Sequence, residues 1–572
     1  MHQGIAAAAG IAIGPAYRFK QPDLTIPERE PEPAEAEFER FTAARDQSKA
    51  VLESIRDAVA ERVGDDTAAI FDAHAMLAAD PSLADRVKAA VEDGQIVERA
   101  VLQVADALGD QFREMDDPYF AERGADIEDV GRRILRILLD VPDTSLQAMA
   151  QRAIVVADDL APSDTARLNP ELTLGLVTAL GGTTSHSAIL ARTLGMPAVV
   201  GVGADVIAEI ADGVTLALDG SEGTLVIDPD EDTLAEYEER RADREARLER
   251  AREFADKKAQ TADGHAVEVG ANISDVASAQ EAVEYGAEGV GLLRTEFLYL
   301  EEHDPPSEEN QMAIYRAIFE TLDGRPVIVR TLDVGGDKPP SFMDFPQEMN
   351  PFLGWRAIRV SLEMPDLFRT QVRAILRAAY GHNVLVMLPF VASVTEVKEA
   401  RAIFDEVGEQ LASEDLDYND AVSFGTMVET PAAALSADLI APYVDFFSIG
   451  ANDLTQYTLA ADRGNERVAH LFNALSPAVL RLVRITIEHA HAHDKWVGMC
   501  GELAGDPAAI PILLGLGLDE FSMVPRAIPE AKWLLSQLTR ERANAIAEHV
   551  LSLASAEEVE AYMADVLEEF GF

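Results

Sequence analysis

Cysteine occurs once in the 572 residues, as Cys500. No internal disulfide is possible, and so few thiols fit a reducing compartment, so a cytoplasmic location is expected. Long apolar runs are missing too. None reaches the roughly 18 residues of a membrane-crossing helix, so membrane insertion is not expected. The opening MHQGIAAAAGIAIGPAYRF is small and apolar, but it has no basic residue before Arg18 and is read as a first β-strand rather than a secretion signal. Basic charge is the largest deficit: 48 Lys and Arg stand against 101 Asp and Glu, a net charge of −53. Nucleic-acid binding, which needs basic patches for phosphate, is disfavoured. The acid is spread over the whole chain and lysine is scarce beside arginine. That pattern suggests a salt-rich, halophilic cytoplasm, where a dense carboxylate surface is screened. Charge alone names no activity.

What remains is ample for folding. Hydrophobic residues make up 48% of the chain, and its length exceeds what one core serves, so an α/β multidomain protein is expected. Residues 31–143 read as an inserted helical bundle. Val97, Val101, Val104, Ala105, Leu108 and Phe112 share one helical face, and Asp80-Pro81 separates two further helices. Short strands such as AIVVA and TLALD follow, so residues 1–30 and 144–230 form one β/α domain. Residues 231–258, without Gly or Pro and mostly charged, predict a solvated connecting helix on the order of 40 Å long.

Beyond residue 259, apolar strands alternate with amphipathic helices: VEVGANI, GVGLLRT, VIVRTLD, VLVMLPF, FGTMVET, FFSIGAND, WVGMCGE and EFSMV. About eight strands over some 300 residues suit a (β/α)8 barrel over residues 259–572, although a doubly wound sheet alternates in the same way. The strand ends favour the barrel, because polar groups gather there: Asn272, Arg294, Arg330, Glu429, Asn452, Asp453, Cys500 and Glu502. Barrel active sites collect at that rim. Arg294, Arg330 and Arg463, with Lys338, suit a small, highly charged anion, since guanidinium forks match carboxylate and phosphate. Glu429 and Asp453 could hold Mg²⁺, which takes few carboxylates and keeps waters and substrate oxygens. Cys500 is either a small buried hydrophobe or a thiol acid.

One further histidine has an unusual setting. In GGTTSHSAIL, His186 has no acidic neighbour to make it a base and no second histidine or cysteine for a metal. A helix starting at Thr184 or Ser185 and stopped by Gly195 and Pro197 puts His186 in its first turn. There the dipole and free N–H groups disfavour the imidazolium, and the string by itself reads as a capped surface histidine.

These segments together resemble a known family. GGTTSHSAILARTLGMPAVVG is similar to the phosphohistidine segment of phosphoenolpyruvate (PEP)-utilising enzymes. GVGLLRTEFL, VIVRTLDVGGDK, NPFLGWRAIR, MVETPAAA, DFFSIGANDLTQYTLAADRGN and GMCGELAGD resemble Enzyme I of the sugar phosphotransferase system. DPYFAERGADIEDVGRRIL is similar to that family's inserted domain, so the likeness covers essentially the whole chain. The resemblance implies a swivelling phosphohistidine domain with the helical insertion, followed by a PEP-binding barrel. It implies that His186 accepts the phosphoryl group, that Arg294, Arg330, Asn452, Asp453 and Arg463 bind PEP, and that Glu429 and Asp453 carry Mg²⁺. Cys500 becomes the proton donor, and Thr165 orients the histidine. A histidine phosphocarrier protein (HPr) docks on the insertion, facing acidic residues between Asp65 and Asp80, and the barrel makes a homodimer. Thr183 and Ala451 depart from the family, standing where Arg and Thr are common.

Two other readings share some of these features. Pyruvate phosphate dikinase and PEP synthase use both catalytic segments, but they place a nucleotide-binding domain ahead of the histidine domain. The residues before it here read as helical without a Gly-rich phosphate loop. A purely regulatory phosphoprotein would not need the full set of arginines, carboxylates and cysteine.

Overall fold

A computed structural model gives the architecture. It describes the chain outside residues 20–23, 64, 114–117, 142–145, 147–148, 150, 161–167, 183–184, 301–303, 337–339, 341, 344, 347, 464 and 466. The side chains of residues 57–63, 65–70, 72, 113, 118–123, 125, 186, 189 and 193 also lie outside the description. The chain divides into two compact units, Met1–Glu245 and Ala246–Phe572.

The apolar N-terminal stretch is not one strand but three: β1 (His2–Gln3), β2 (Ile5–Ala8) and β3 (Ile11–Arg18). Glycines cause the interruptions. Gly10 has φ of 136°, which a side chain rarely tolerates, and a Cβ on Gly4 would lie 2.7 Å from Val199 Cγ1. The remaining strands are β4 (Ala153–Ala157), β5 (Thr173–Thr178), β6 (Ala198–Val200), β7 (Thr215–Asp219) and β8 (Thr224–Ile227). All eight form one sheet in the order β1-β8-β7-β3-β4-β5-β6-β2. β3 lies parallel to β4 and antiparallel to β7, so the chain start closes a sheet whose other strands follow the helical insertion.

The insertion consists of α1 (Ala34–Val63), α2 (Asp65–Ala79), α3 (Pro81–Glu92), α4 (Val97–Arg113) and α5 (Pro118–Leu138). The break at Pro81 has a clear cause. Asp80 accepts the Ser82 N–H at 2.7 Å, and proline occupies the first turn, where its missing N–H costs nothing. The expected stripe on α4 buries Val97, Val101, Ala105 and Leu108. Ion pairs brace the entry to the bundle. Arg29 donates to Glu37 at 2.5 and 2.6 Å and to Glu98 at 2.6 Å, and Arg40 reaches Glu98 at 2.7 Å.

The connecting helix spans Glu231–Arg252, shorter than the sequence suggests. Its end is set from the barrel side. Lys532, 3% exposed, donates to the carbonyls of Ala255, Lys257 and Gly286 at 2.9, 2.8 and 2.6 Å and turns the backbone there.

The second unit is a closed barrel of eight parallel strands: β9 (Glu268–Ile273), β10 (Val290–Leu293), β11 (Val327–Arg330), β12 (Val384–Leu388), β13 (Ser423–Val428), β14 (Phe446–Ile449), β15 (Trp496–Met499) and β16 (Glu520–Met523). Each expected apolar run supplies one strand, and β16 returns to pair with β9. The doubly wound alternative is excluded by that closure. Leu292, Ile328, Met387, Met427, Phe446 and Cys500 pack together as a cluster separate from the large core. Among the described residues no helix is long and apolar enough to cross a membrane.

Candidate active site

Parallel strands all point their C-terminal ends the same way, so residues scattered along the sequence meet at one mouth. Arg330 ends β11 and is nearly buried. It pairs with Glu296, just after β10, at 2.9 Å and with Asp333 at 3.0 Å. Arg356 then holds Asp333 at 3.1 Å and Asp453 at 3.2 Å, and donates to Tyr457 Oη at 3.0 Å. The Arg356 guanidinium also lies 4.5 Å from the centre of the Phe390 ring. Positive and negative groups therefore alternate from Glu296 through Arg330, Asp333 and Arg356 to Asp453.

Such a buried network is poor evidence for stability, because desolvation offsets much of the Coulomb gain. Its value lies in fixed geometry. Burial alone would lower the pKa of Arg330, but Glu296, Asp333 and Glu429 outweigh it and raise it. Burial likewise opposes Arg356, and Asp333 and Asp453 raise it. Both guanidinium groups stay charged. Asp333 is held below its ordinary value, since Arg330 and Arg356 outweigh its burial.

Glu429, 1% exposed, follows β13, and its carboxylate accepts the Phe390 backbone N–H. Burial first, then Asp453 and Asp333, push its pKa up to about 8. Three carboxylates thus crowd two arginines, and added positive charge would ease that repulsion. Asp453 and Asn452 sit in the first turn of the helix Ala451–Leu459, where unpaired N–H groups favour an anion. The departure at Ala451 is buried, and a Cβ on Gly501 would lie 2.7 Å from its Cβ.

Two arginines remain open. Arg294 reaches solvent at the mouth and has no ion-pair partner among the described residues. Surrounding protein first, and the charge of Arg330 second, lower its pKa. Arg463 is exposed and likewise unpaired among the described residues. Its backbone N–H is fixed by Gln456 Oε1 at 3.2 Å. Lys338 lies outside the described residues.

Cys500 follows β15 and is 6% exposed. Its sulfur meets Ser448 Oγ at 3.4 Å, and burial pushes the thiol pKa up to about 12. The thiol keeps its proton at neutral pH. Asn272 lies deeper, donating to the Cys500 carbonyl at 3.4 Å and accepting from Ser522 Oγ at 2.7 Å.

In the first unit, the helix α6 (His186–Thr193) begins at the histidine itself. Ser185 is its N-cap, accepting the Ala188 N–H at 3.4 Å, and the chain turns at Gly195 with φ of 63°. Gly181, with φ of 103°, brings the preceding loop against Ser185. The His186 side chain, Thr165 and Thr183 lie outside the described residues. So do the side chains of Asp65, Asp66 and Asp72, whereas Asp80 caps α3.

Asp333, Arg356 and Glu296 complete the network; they lie within the segments VIVRTLDVGGDK, NPFLGWRAIR and GVGLLRTEFL but are not singled out there as site residues. Asp333 and Arg356 lie in loops beyond the strand ends. The available signal is their place in those family-like segments, and only the folded barrel shows that they meet.

A closed parallel barrel with an arginine and carboxylate mouth defines an enzyme for small anions, and the other unit carries a helix that starts on a histidine. The chain belongs to the family of PEP-utilising enzymes. That family's PEP-binding domain matches residues 248–540, its N-terminal domain residues 3–123 and its mobile domain residues 149–223. A phosphoenolpyruvate-protein phosphotransferase of Priestia megaterium is 46% identical over 558 residues, 97% of each chain. One of Bacillus sp. (strain S) is 47% identical over 561 residues, covering 98% of this chain and 97% of its own. Another, of Bacillus subtilis (strain 168), is 45% identical over 564 residues, covering 98% and 99%.

Proposed function

We propose that this protein is a phosphoenolpyruvate-protein phosphotransferase. It moves the phosphoryl group of PEP to a protein histidine and releases pyruvate. The observation that carries this reading is the barrel mouth, where a fixed Arg330–Asp333–Arg356–Asp453 network stands in a chain of net charge −53, and Arg294 and Arg463 have no ion-pair partner among the described residues.

The residue roles are those that the family resemblance implies, and the chemistry of the side chains suits them. Arg294, Arg330, Arg463 and Asn452, with the helix-start N–H groups around Asp453, take the carboxylate and phosphate of PEP. Glu429 and Asp453 fit Mg²⁺: their oxygens are hard donors, and their crowding favours a cation. An ion held by these two carboxylates would complete its shell with substrate oxygens and water. Bound there, Mg²⁺ neutralises charge on the transferring group. His186, at the start of α6, accepts the phosphoryl group as a neutral nucleophile. The protonated Cys500 thiol delivers its proton to the methylene carbon of enolpyruvate, giving pyruvate.

The second transfer passes the group from His186 to a histidine of HPr docked on the helical insertion. This reading divides the chain into a swivelling domain (1–30 and 144–230), a carrier-binding insertion (31–143), a linker (231–258) and a PEP-binding barrel (259–572). It places a barrel-linked homodimer in the cytoplasm. Phosphorylation with labelled PEP tests it. Mass spectrometry under alkaline conditions should find the label on His186, and His186→Ala should abolish it. Label persisting in that variant would overturn the assignment.

A further inference from the structure

Inside the barrel, below the mouth, one carboxyl is left without a full set of partners. Glu520 is the first residue of β16, at the end of the barrel opposite the mouth. It is 5% exposed, and its Oε2 has no hydrogen-bond partner among the described residues. Barrel interiors are ordinarily filled by bulky branched side chains. Here three neighbouring strands carry glycine instead. A Cβ on Gly498 of β15 or Gly291 of β10 would lie 2.0 Å from a Glu520 carboxyl oxygen, and one on Gly270 of β9 would lie 2.9 Å away. An unpaired buried carboxyl is costly, so packing gives no reason to build a cradle around it.

The register shows what lies above it. Gly498 pairs with Glu520, so Cys500, two residues further along β15, projects from the same inner face one layer nearer the mouth. Ser522 stands beside Cys500 in that layer. Ser522 Oγ and Glu520 Oε1 converge on one point, 2.5 and 2.0 Å from where a Gly291 Cβ would sit. Below, Glu268 of β9 lies opposite Glu520 and is exposed at the base of the barrel. By register, Glu268, Glu520, Ser522 and Cys500 thus follow one another from the exposed base towards the mouth. The Ser522 hydroxyl rests on Asn272 Oδ1 at 2.7 Å and the thiol against Ser448 Oγ at 3.4 Å.

We infer that Glu520 is the proton reservoir that recharges the Cys500 thiol after each turnover, drawing on solvent through Glu268 at the base of the barrel. This rests on the reading of Cys500 as the proton donor to enolpyruvate. In that step the S–H bond breaks, a C–H bond forms at the methylene carbon, and a thiolate remains. The Ser522 hydroxyl, which donates to Asn272 Oδ1 at 2.7 Å before turnover, swings to the thiolate, passes its proton to it and takes the Glu520 carboxyl proton. The Glu520 carboxylate is then reprotonated by water at the base. Substrate and product leave by the mouth, so recharging from below does not compete with them.

The acidities run in the required direction. Burial, then Glu268, push Glu520 up to about 8, while burial pushes Cys500 up to about 12, so the proton moves downhill to the thiolate. Glu520 is also among the charges that act on Cys500. Of the strands against it, β10 and β15 present glycine, and β9 presents Gly270 and Glu268.

The test follows deuterium entry into the pyruvate methyl group by NMR, using the full chain with Mg²⁺ and pyruvate. Wild-type exchange should fall as pH rises through about 8, where the reservoir empties. Glu520→Gln should lower exchange at least about tenfold, within the range of general acid catalysis, and remove that pH limb. Should Glu520→Gln fail to fold, Ser522→Ala breaks the same path and should show the same loss. Wild-type rate and pH profile in the folded variant would overturn the inference, provided Cys500→Ala has lost exchange. Exchange at the wild-type rate in Cys500→Ala would instead overturn the underlying reading of the cysteine.

Discussion

Arg356 and Asp453 meet at 3.2 Å although 97 positions separate them in the chain. The other nitrogen of the same guanidinium holds Asp333 at 3.1 Å, so one planar fork locks the loop after β11 to the helix after β14. A lysine ammonium is a point charge and cannot span both carboxylates in fixed geometry. Arg356→Lys should therefore lower kcat/KM for PEP by about ten- to a hundredfold, roughly 1.4 to 2.7 kcal/mol of transition-state stabilisation. Steady-state pyruvate release measures it. Unchanged kinetics would mean that the fork does not position the site.

The bundle entry should respond to acid. Hydrogen bonds from Arg29 hold Glu37 down to about 2 despite its burial. A carboxylate with a depressed folded pKa adds stability above its unfolded pKa near 4.3, and that stability disappears as pH falls through about 2. The difference corresponds to roughly 3 kcal/mol. Glu37→Gln should destabilise the first unit at neutral pH and shrink its loss of stability between pH 4 and 2. Denaturant titrations followed by circular dichroism at several pH values check both.

The glycine cradle makes a separate prediction about packing. In Gly291→Ala the new methyl would sit 2.0 Å from Glu520 Oε1 and 2.4 Å from Ser522 Cβ, closer than atoms tolerate. Strand backbone cannot move far in a closed barrel, so a loss of about 1–3 kcal/mol is expected from overpacking. Thermal melting of the two proteins measures it. An unchanged Tm would show that the carboxyl has room to move.

Salt should stabilise the whole chain. With 101 acidic and 48 basic residues, carboxylate repulsion is strong until the Debye length shrinks to about 3 Å at 1 M salt. Melting temperature should rise across a KCl series, and a flat response would refute a halophilic adaptation.

Much of the barrel is legible in the sequence because its strands are buried on both faces and read as apolar runs. Arg330, Glu429 and Cys500 stand where those runs end, and a closed sheet brings them together. The pairing of Asp333 with Arg356 is not legible, although both lie in family-like segments, because they stand in irregular loops whose course depends on what they pair with. Glu520 is missed for a different reason: it begins its strand, where an acidic residue reads as an ordinary solvated boundary. The three N-terminal strands read as one because glycine breaks leave the apolar pattern intact. Lys532, which ends the connecting helix, acts from a distant segment and leaves no local trace.

The neighbouring of β3 and β4 has a consequence for how the protein is made. Arg18 pairs beside Val156, with the whole helical insertion between them. During synthesis at about 5–20 residues per second, β3 waits on the order of ten seconds before β4 emerges. Its hydrogen-bonding edge stays open for that time, while the insertion, built from local contacts, can fold at once. The bundle therefore matures first on the ribosome, and the nascent sheet edge is the interval in which a chaperone would find this chain.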